Sequence, residues 1–133
     1  MKTIVTVGCA LAAAFAFSPV AAQDAKPEMR LQQTVEGMPK GEKQQVMVLT
    51  ATLKPGDKTP FHTHRFPVTA HILEGTFTLE IDGRQPVVLK AGDSFVEPPN
   101  VKMTGYNRSA SDNMKVVIFY VSDPNTPFLD MAH

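Results

Sequence analysis

The chain has 133 residues with 13 basic and 13 acidic side chains, so its formal net charge is zero. With no basic run or basic face there is nothing to release counterions from a phosphate backbone, which excludes nucleic acid as a partner. A single cysteine, Cys9, rules out an internal disulfide framework, so stability has to rest on packing and backbone pairing.

The first element in chain order is a leader. Lys2 precedes the apolar run "IVTVGCALAAAFAF", then Ser18-Pro19, and Val20-Ala21-Ala22 supplies the small residues that a signal peptidase cuts after. Residues 1 to 22 read as a signal peptide, which predicts a periplasmic or secreted protein. The run is too short and Ala-rich for a membrane span, so no membrane association is expected after cleavage. Removing 22 of the 133 residues leaves 111, enough for one domain with its own core. Cys9 leaves with the leader, and thiol catalysis is excluded from the mature chain.

Residues 23 to 43 form a polar N-terminal arm with one alternating stretch, "MRLQQTV", that predicts an edge strand. From Gln44 the text changes: "QQVMVLTATLK" has no helix breaker and no 3.6-residue stripe, so it predicts a long strand ended by Lys54-Pro55-Gly56-Asp57. Short β-branched or aromatic segments follow to residue 122, divided by Gly75, Asp82-Gly83, Ala91-Gly92-Asp93 and Pro98-Pro99. Asp82-Gly83 predicts a two-residue hairpin turn. Eight or nine strands and no helix outside the leader predict an all-β sandwich or barrel over residues 44 to 122. Residues 123 to 133, "DPNTPFLDMAH", read as a Pro-broken C-terminal tail tucked in by Phe128 and Leu129. Asn107-Arg108-Ser109 matches the glycosylation pattern, but a three-residue match is explained by chance.

Three of the four histidines lie within "GDKTPFHTHRFPVTAHILEG", two of them as His62-x-His64. Side chains two apart on a strand share a face, with Cα atoms about 6.6 Å apart at ~3.3 Å per residue. Two imidazoles so placed can converge on one ion at about 2.0–2.1 Å. His71 is three positions beyond Val68, and odd spacing turns it to the opposite face.

With these residues in place the sequence resembles the cupin superfamily over about residues 44 to 122. Gly56, His62, His64 and Gly75 match the first cupin motif, and Gly92, Pro98 and Asn107 match the second at its spacings. The resemblance implies a double-stranded β-helix, a jelly-roll barrel with its ligand site inside one end, and often a homodimer. The chain departs from the motifs at both remaining ligands: Val68 stands where the family has Glu, and Met103 where it has its third His. Asn100 replaces the third glycine of the second motif, and Asn also accepts left-handed backbone.

Two residues compete to complete the site. Met103 would offer a thioether, a soft ligand suited to copper, or would simply fill space in the barrel. Glu97, in "FVEPP", would be a ligand or base facing the cavity, or a rim carboxylate in water. The Glu-Pro-Pro text resembles a group of small bacterial cupins, which favours an inward Glu97. The expected site is therefore His62, His64, Glu97 and Met103 around one divalent transition metal or copper, beside a small-molecule pocket formed by Phe66, Val68, Phe77, Phe95 and Tyr106. Three functions follow: a binding protein for a metal ion and a small molecule, a metal-dependent enzyme of oxygenase or isomerase type, or a metal-free module holding a small apolar ligand.

Overall fold

A computed structural model describes residues 21–133; the expected leader lies outside them except for its last two residues. Among the described residues there is no helix. In the described residues nine strands run in the order β1 (Gln45–Leu53), β2 (His62–Thr63), β3 (Val68–Glu74), β4 (Thr76–Ile81), β5 (Val87–Lys90), β6 (Ser94–Glu97), β7 (Met103–Tyr106), β8 (Met114–Ser122) and β9 (Asp130–Met131). They form two antiparallel sheets, four strands ordered β1-β8-β3-β6 and five ordered β5-β4-β7-β2-β9. The arrangement is the expected all-β jelly roll, a double-stranded β-helix.

Period-two patterning decides which side chains enter the barrel. In β3, Val68, Ala70 and Ile72 point inward and are buried, while Thr69 and His71 face out. β1 pairs with β8 over nine residues, from Gln45 opposite Ser122 to Leu53 opposite Met114. That register places Leu53 and Met114 together in a core that also holds Ile72, Phe77, Leu79 and Ile81. Burying each such side chain contributes roughly 1.5–3 kcal/mol. Along β3 from Ile72 to Val68 the interior changes character. Ile72 sits in the aliphatic cluster, whereas Val68 is flanked by Glu97 on β6 and Tyr120 on β8.

Two glycines are required by geometry. Gly75 joins β3 to β4 with φ +72°, and a Cβ there would strike the Asn113 carbonyl. Gly105 lies under the Phe77 ring, so any side chain would push that ring away. Asn100 has φ 59°, as expected for a residue in the place of a glycine, and its N–H donates to the His64 carbonyl at 2.7 Å. Asn107 is buried, its Nδ2 donating to the carbonyls of Leu53 at 2.9 Å and Asp112 at 2.8 Å. Its amide ties two loops together and is not presented as a glycosylation acceptor.

Two expectations are corrected. The arm forms no strand: Leu31 and Val35 are half-buried and, with the exposed Gln33, line a groove on the outer face of the four-stranded sheet together with Thr69, Val96, Phe119 and Val121. The alternation reports an extended chain, and side-chain packing rather than edge pairing satisfies it. The Asp82-Gly83 turn closes through Arg84 N–H donating to the Ile81 carbonyl at 3.1 Å, yet β4–β5 pairing begins only at Leu79 opposite Val87. Pro86 has no amide hydrogen to extend the ladder, so the connection is longer than two residues.

Candidate metal centre

β2 is held between β7 and β9, with His62 opposite Met103 on one side and Met131 on the other. Pro60 before it and Pro67 after it limit its length. His62 is 5% exposed and His64 1%, so the pair turns into the barrel. Their rings meet edge to face at 4.7 Å between centroids.

The outer nitrogen of each ring is committed to a carbonyl. His62 Nδ1 donates to the Pro60 carbonyl at 2.7 Å, and His64 Nδ1 donates to the Phe128 carbonyl at 2.6 Å. A carbonyl only accepts, so both protons are on Nδ1 and both Nε2 atoms face inward. The two Nε2 atoms lie 3.1 Å apart, and Glu97 Oε2 lies 3.2 Å from His64 Nε2. Three lone-pair donors thus converge in a buried place, all within 4.8 Å of one another. Left bare they repel. A cation placed among them would relieve that repulsion. Burial is the main reason the His62 pKa lies below its ordinary value; His64 lowers it further, while the Pro60 carbonyl and Glu97 oppose the shift. The neutral, metal-binding form of His62 is therefore the favoured one.

The donor set fits a metal. Ligands about 2.0–2.2 Å from a shared ion at near right angles are separated by roughly 3 Å, the spacing of His64 Nε2 from both His62 Nε2 and Glu97 Oε2. Two imidazoles and one carboxylate suit first-row divalent ions such as iron, zinc and nickel, and leave coordination positions open. The carboxylate also explains the departure at position 68. Val68 on β3 pairs directly with Glu97 on β6, so both side chains point the same way. The acid arrives from the neighbouring strand.

Of the four expected ligands, His62, His64 and Glu97 come together, and Glu97 is buried rather than in water at the rim. Met103 is fully buried opposite His62, within the apolar core cluster. Its surroundings are those of a space-filling side chain. Of the five expected pocket residues, Phe77 lines the cavity beside the trio; Phe66, Val68, Phe95 and Tyr106 do not. Phe66 packs on the Tyr120 ring, Val68 is buried beneath Glu97, and Phe95 packs against the core. Tyr106 lies in a surface groove with Arg108 over its ring. His71 faces out, Nδ1 at 2.7 Å from Ser94 Oγ.

The tail contributes more than its composition announces. β9 adds to the five-stranded sheet beside β2, and Arg65 holds Asp130 by two hydrogen bonds at 2.8 and 2.9 Å. Phe128 stacks at 4.7 Å on His64, meets Tyr120 at 5.6 Å and supplies the carbonyl that orients the imidazole. The Phe128-Leu129 pair in a polar tail was its signal in the sequence; the carbonyl had none. The Tyr120 hydroxyl is buried, and burial raises its pKa against the opposing effect of the Phe66 and Arg65 backbone.

Residues 49–120 match the cupin domain family. No curated protein matches the chain. Among solved structures it is similar to an RmlC-like cupin from Shewanella frigidimarina, with 25% identity and TM-score 0.52 over 60% of this chain and 68% of that one. It is also similar to an RmlC-like cupin family protein from Methanocaldococcus jannaschii, with 29% identity and TM-score 0.53 over 59% and 70%. The DMSP lyase DddQ from Ruegeria pomeroyi shares the fold at 20% identity and TM-score 0.56, over 65% of this chain and 43% of that one. A match over more than half of the chain, the paired histidines inside one end of the barrel and the glycine turns around them lead to one conclusion: this chain belongs to the cupin family.

Proposed function

We propose that this protein holds one divalent transition-metal ion on His62 Nε2, His64 Nε2 and Glu97, and takes up a small molecule in the cavity beside it. The observation that carries this reading is the convergence of three buried donors, two of them imidazoles whose other ring nitrogen is already spent on a carbonyl. Such an ion would supply Lewis-acid polarisation of a bound oxygen, or oxygen or water activation at its open positions. The chain's own part is to orient both imidazoles, provide one negative charge and keep bulk water out with the Phe128-Leu129 wall. An oxygenase or isomerase activity is consistent with this arrangement.

A second reading, a metal-free module for an apolar ligand, is favoured by the cavity wall, where Leu53, Ala70, Phe77, Leu79, Val116 and Ile118 are all apolar. Elemental analysis and Co(II) titration of the purified protein separate the two. One ion per chain, lost in His62→Ala, His64→Ala and Glu97→Ala, supports the metal centre; no uptake by wild type leaves the second reading. Export to the periplasm or the medium is a further proposal, supported by residues 1 to 22 and tested by the N-terminus of the protein recovered from cells. A homodimer is supported by the exposed apolar side chains of Val46, Val48 and Phe119 on the outer sheet face.

A further inference from the structure

The cavity that opens on the three donors restricts what can bind there. It encloses about 130 Å³, close to the ~150 Å³ of an engineered apolar cavity that holds benzene. Beyond the donors its only polar side chain among the described residues is Thr59. That hydroxyl is already occupied, accepting from Gly105 N–H at 2.9 Å and donating to the Pro60 carbonyl at 3.2 Å. Among the described residues no lysine or arginine lines the cavity. Arg65, the cation on the β2–β3 connection, lies outside, held by Asp130. A charge on the far end of a ligand would therefore be buried with no partner, which is strongly unfavourable. At the near end, a divalent ion with one carboxylate leaves a single net positive charge, which matches one negative charge on the ligand.

Resting on the metal-centre reading, we infer that the ligand is a small oxygen chelator, neutral or singly negative, with a compact apolar body of at most about four carbon atoms beyond its chelating head. Dicarboxylates and cationic molecules are excluded by the wall, whatever their affinity for the ion in water. Selectivity comes from the apolar lining, which includes Ala70, Leu79, Val116, Ile118 and Leu129.

Two probes with the same 2-oxo acid head and nearly equal size test this: 4-methyl-2-oxopentanoate, with an isobutyl tail, and 2-oxoglutarate, with a second carboxylate. Co(II)-loaded protein is titrated with each, following the visible Co(II) band and the heat of binding. The isobutyl acid is expected to bind at least about 100-fold more tightly, the size of effect that an unpartnered buried charge produces. Ile118→Lys, which places an ammonium in the wall, is expected to narrow or reverse that ratio. Equal affinities, or a preference for 2-oxoglutarate in wild type, overturn the inference while leaving the metal centre standing. Failure to take up Co(II) sinks the metal centre and this inference with it.

Discussion

Moving the carboxylate from β6 to β3 tests the site most directly. Val68 and Glu97 are paired across the two strands, with Cα atoms about 4.5–5.5 Å apart in such pairs, so either position can present an acid to the same interior layer. Glu97→Val removes one of three donors and is expected to weaken metal binding by at least about 100-fold, since even removal of a group that only orients a ligand costs 10–100-fold. Val68→Glu/Glu97→Val, which restores the acid where cupin motifs usually carry it, should recover affinity to within about tenfold. Val68→Glu alone places two carboxylates about 5 Å apart. At an effective dielectric constant of about 20 their repulsion is roughly 3 kcal/mol, so the metal-free variant should unfold at lower urea or take up a proton, and added metal should reverse the loss. Competition titration against a chromophoric chelator measures the affinities, and urea unfolding with EDTA measures the stabilities. The reasoning is refuted if Glu97→Val binds metal like wild type, or if the swapped protein stays folded by circular dichroism but does not regain the ion.

Three more outcomes follow from the same geometry. The depressed pKa of His62 contributes stability that is complete above about pH 6.5, the unfolded value, and is lost as the pH falls through the folded value. Metal-free wild type should therefore lose urea resistance between pH 7.5 and 5 more steeply than His62→Gln; parallel profiles would contradict this. Deleting residues 127–133 removes the Phe128 carbonyl from His64 and opens the cavity wall, so metal affinity should drop about 10–100-fold, whereas Arg65→Ala, which keeps that carbonyl, should have a smaller effect in the same titration. Gly75→Ala combines a positive φ with a collision against the Asn113 carbonyl and should cost at least about 1–3 kcal/mol in urea unfolding, against little change for Gly83→Asn, where nothing lies within 4 Å.

The strands were legible because their cause is local. "QQVMVLTATLK" became β1, and the breaks at Gly75, Gly92 and Pro98 fall between strands. The same-face geometry of His62 and His64 was equally readable, since it depends only on the two-residue period of an extended chain. The cavity lining was not. Phe66, Phe95 and Tyr106 are aromatic and close in sequence to the site, but Phe66 packs on Tyr120, Phe95 packs against the aliphatic core and Tyr106 lies in a surface groove. The arm shows the same limit, because alternation specifies an extended backbone and leaves open whether an edge or a face receives it.

By itself, the sequence determined an all-β shell, its turns, the identity of its first two donors and the side of the strand on which they stand, all consequences of backbone sterics within a few residues. Tertiary structure decided the rest. The register between β3 and β6 put Glu97 where Val68 lacks an acid, and the return of the tail beside β2 brought the Phe128 carbonyl to His64 across 64 positions of chain. Both contacts depend on how distant segments pack against one another, a property of the whole core that no short stretch of residues encodes.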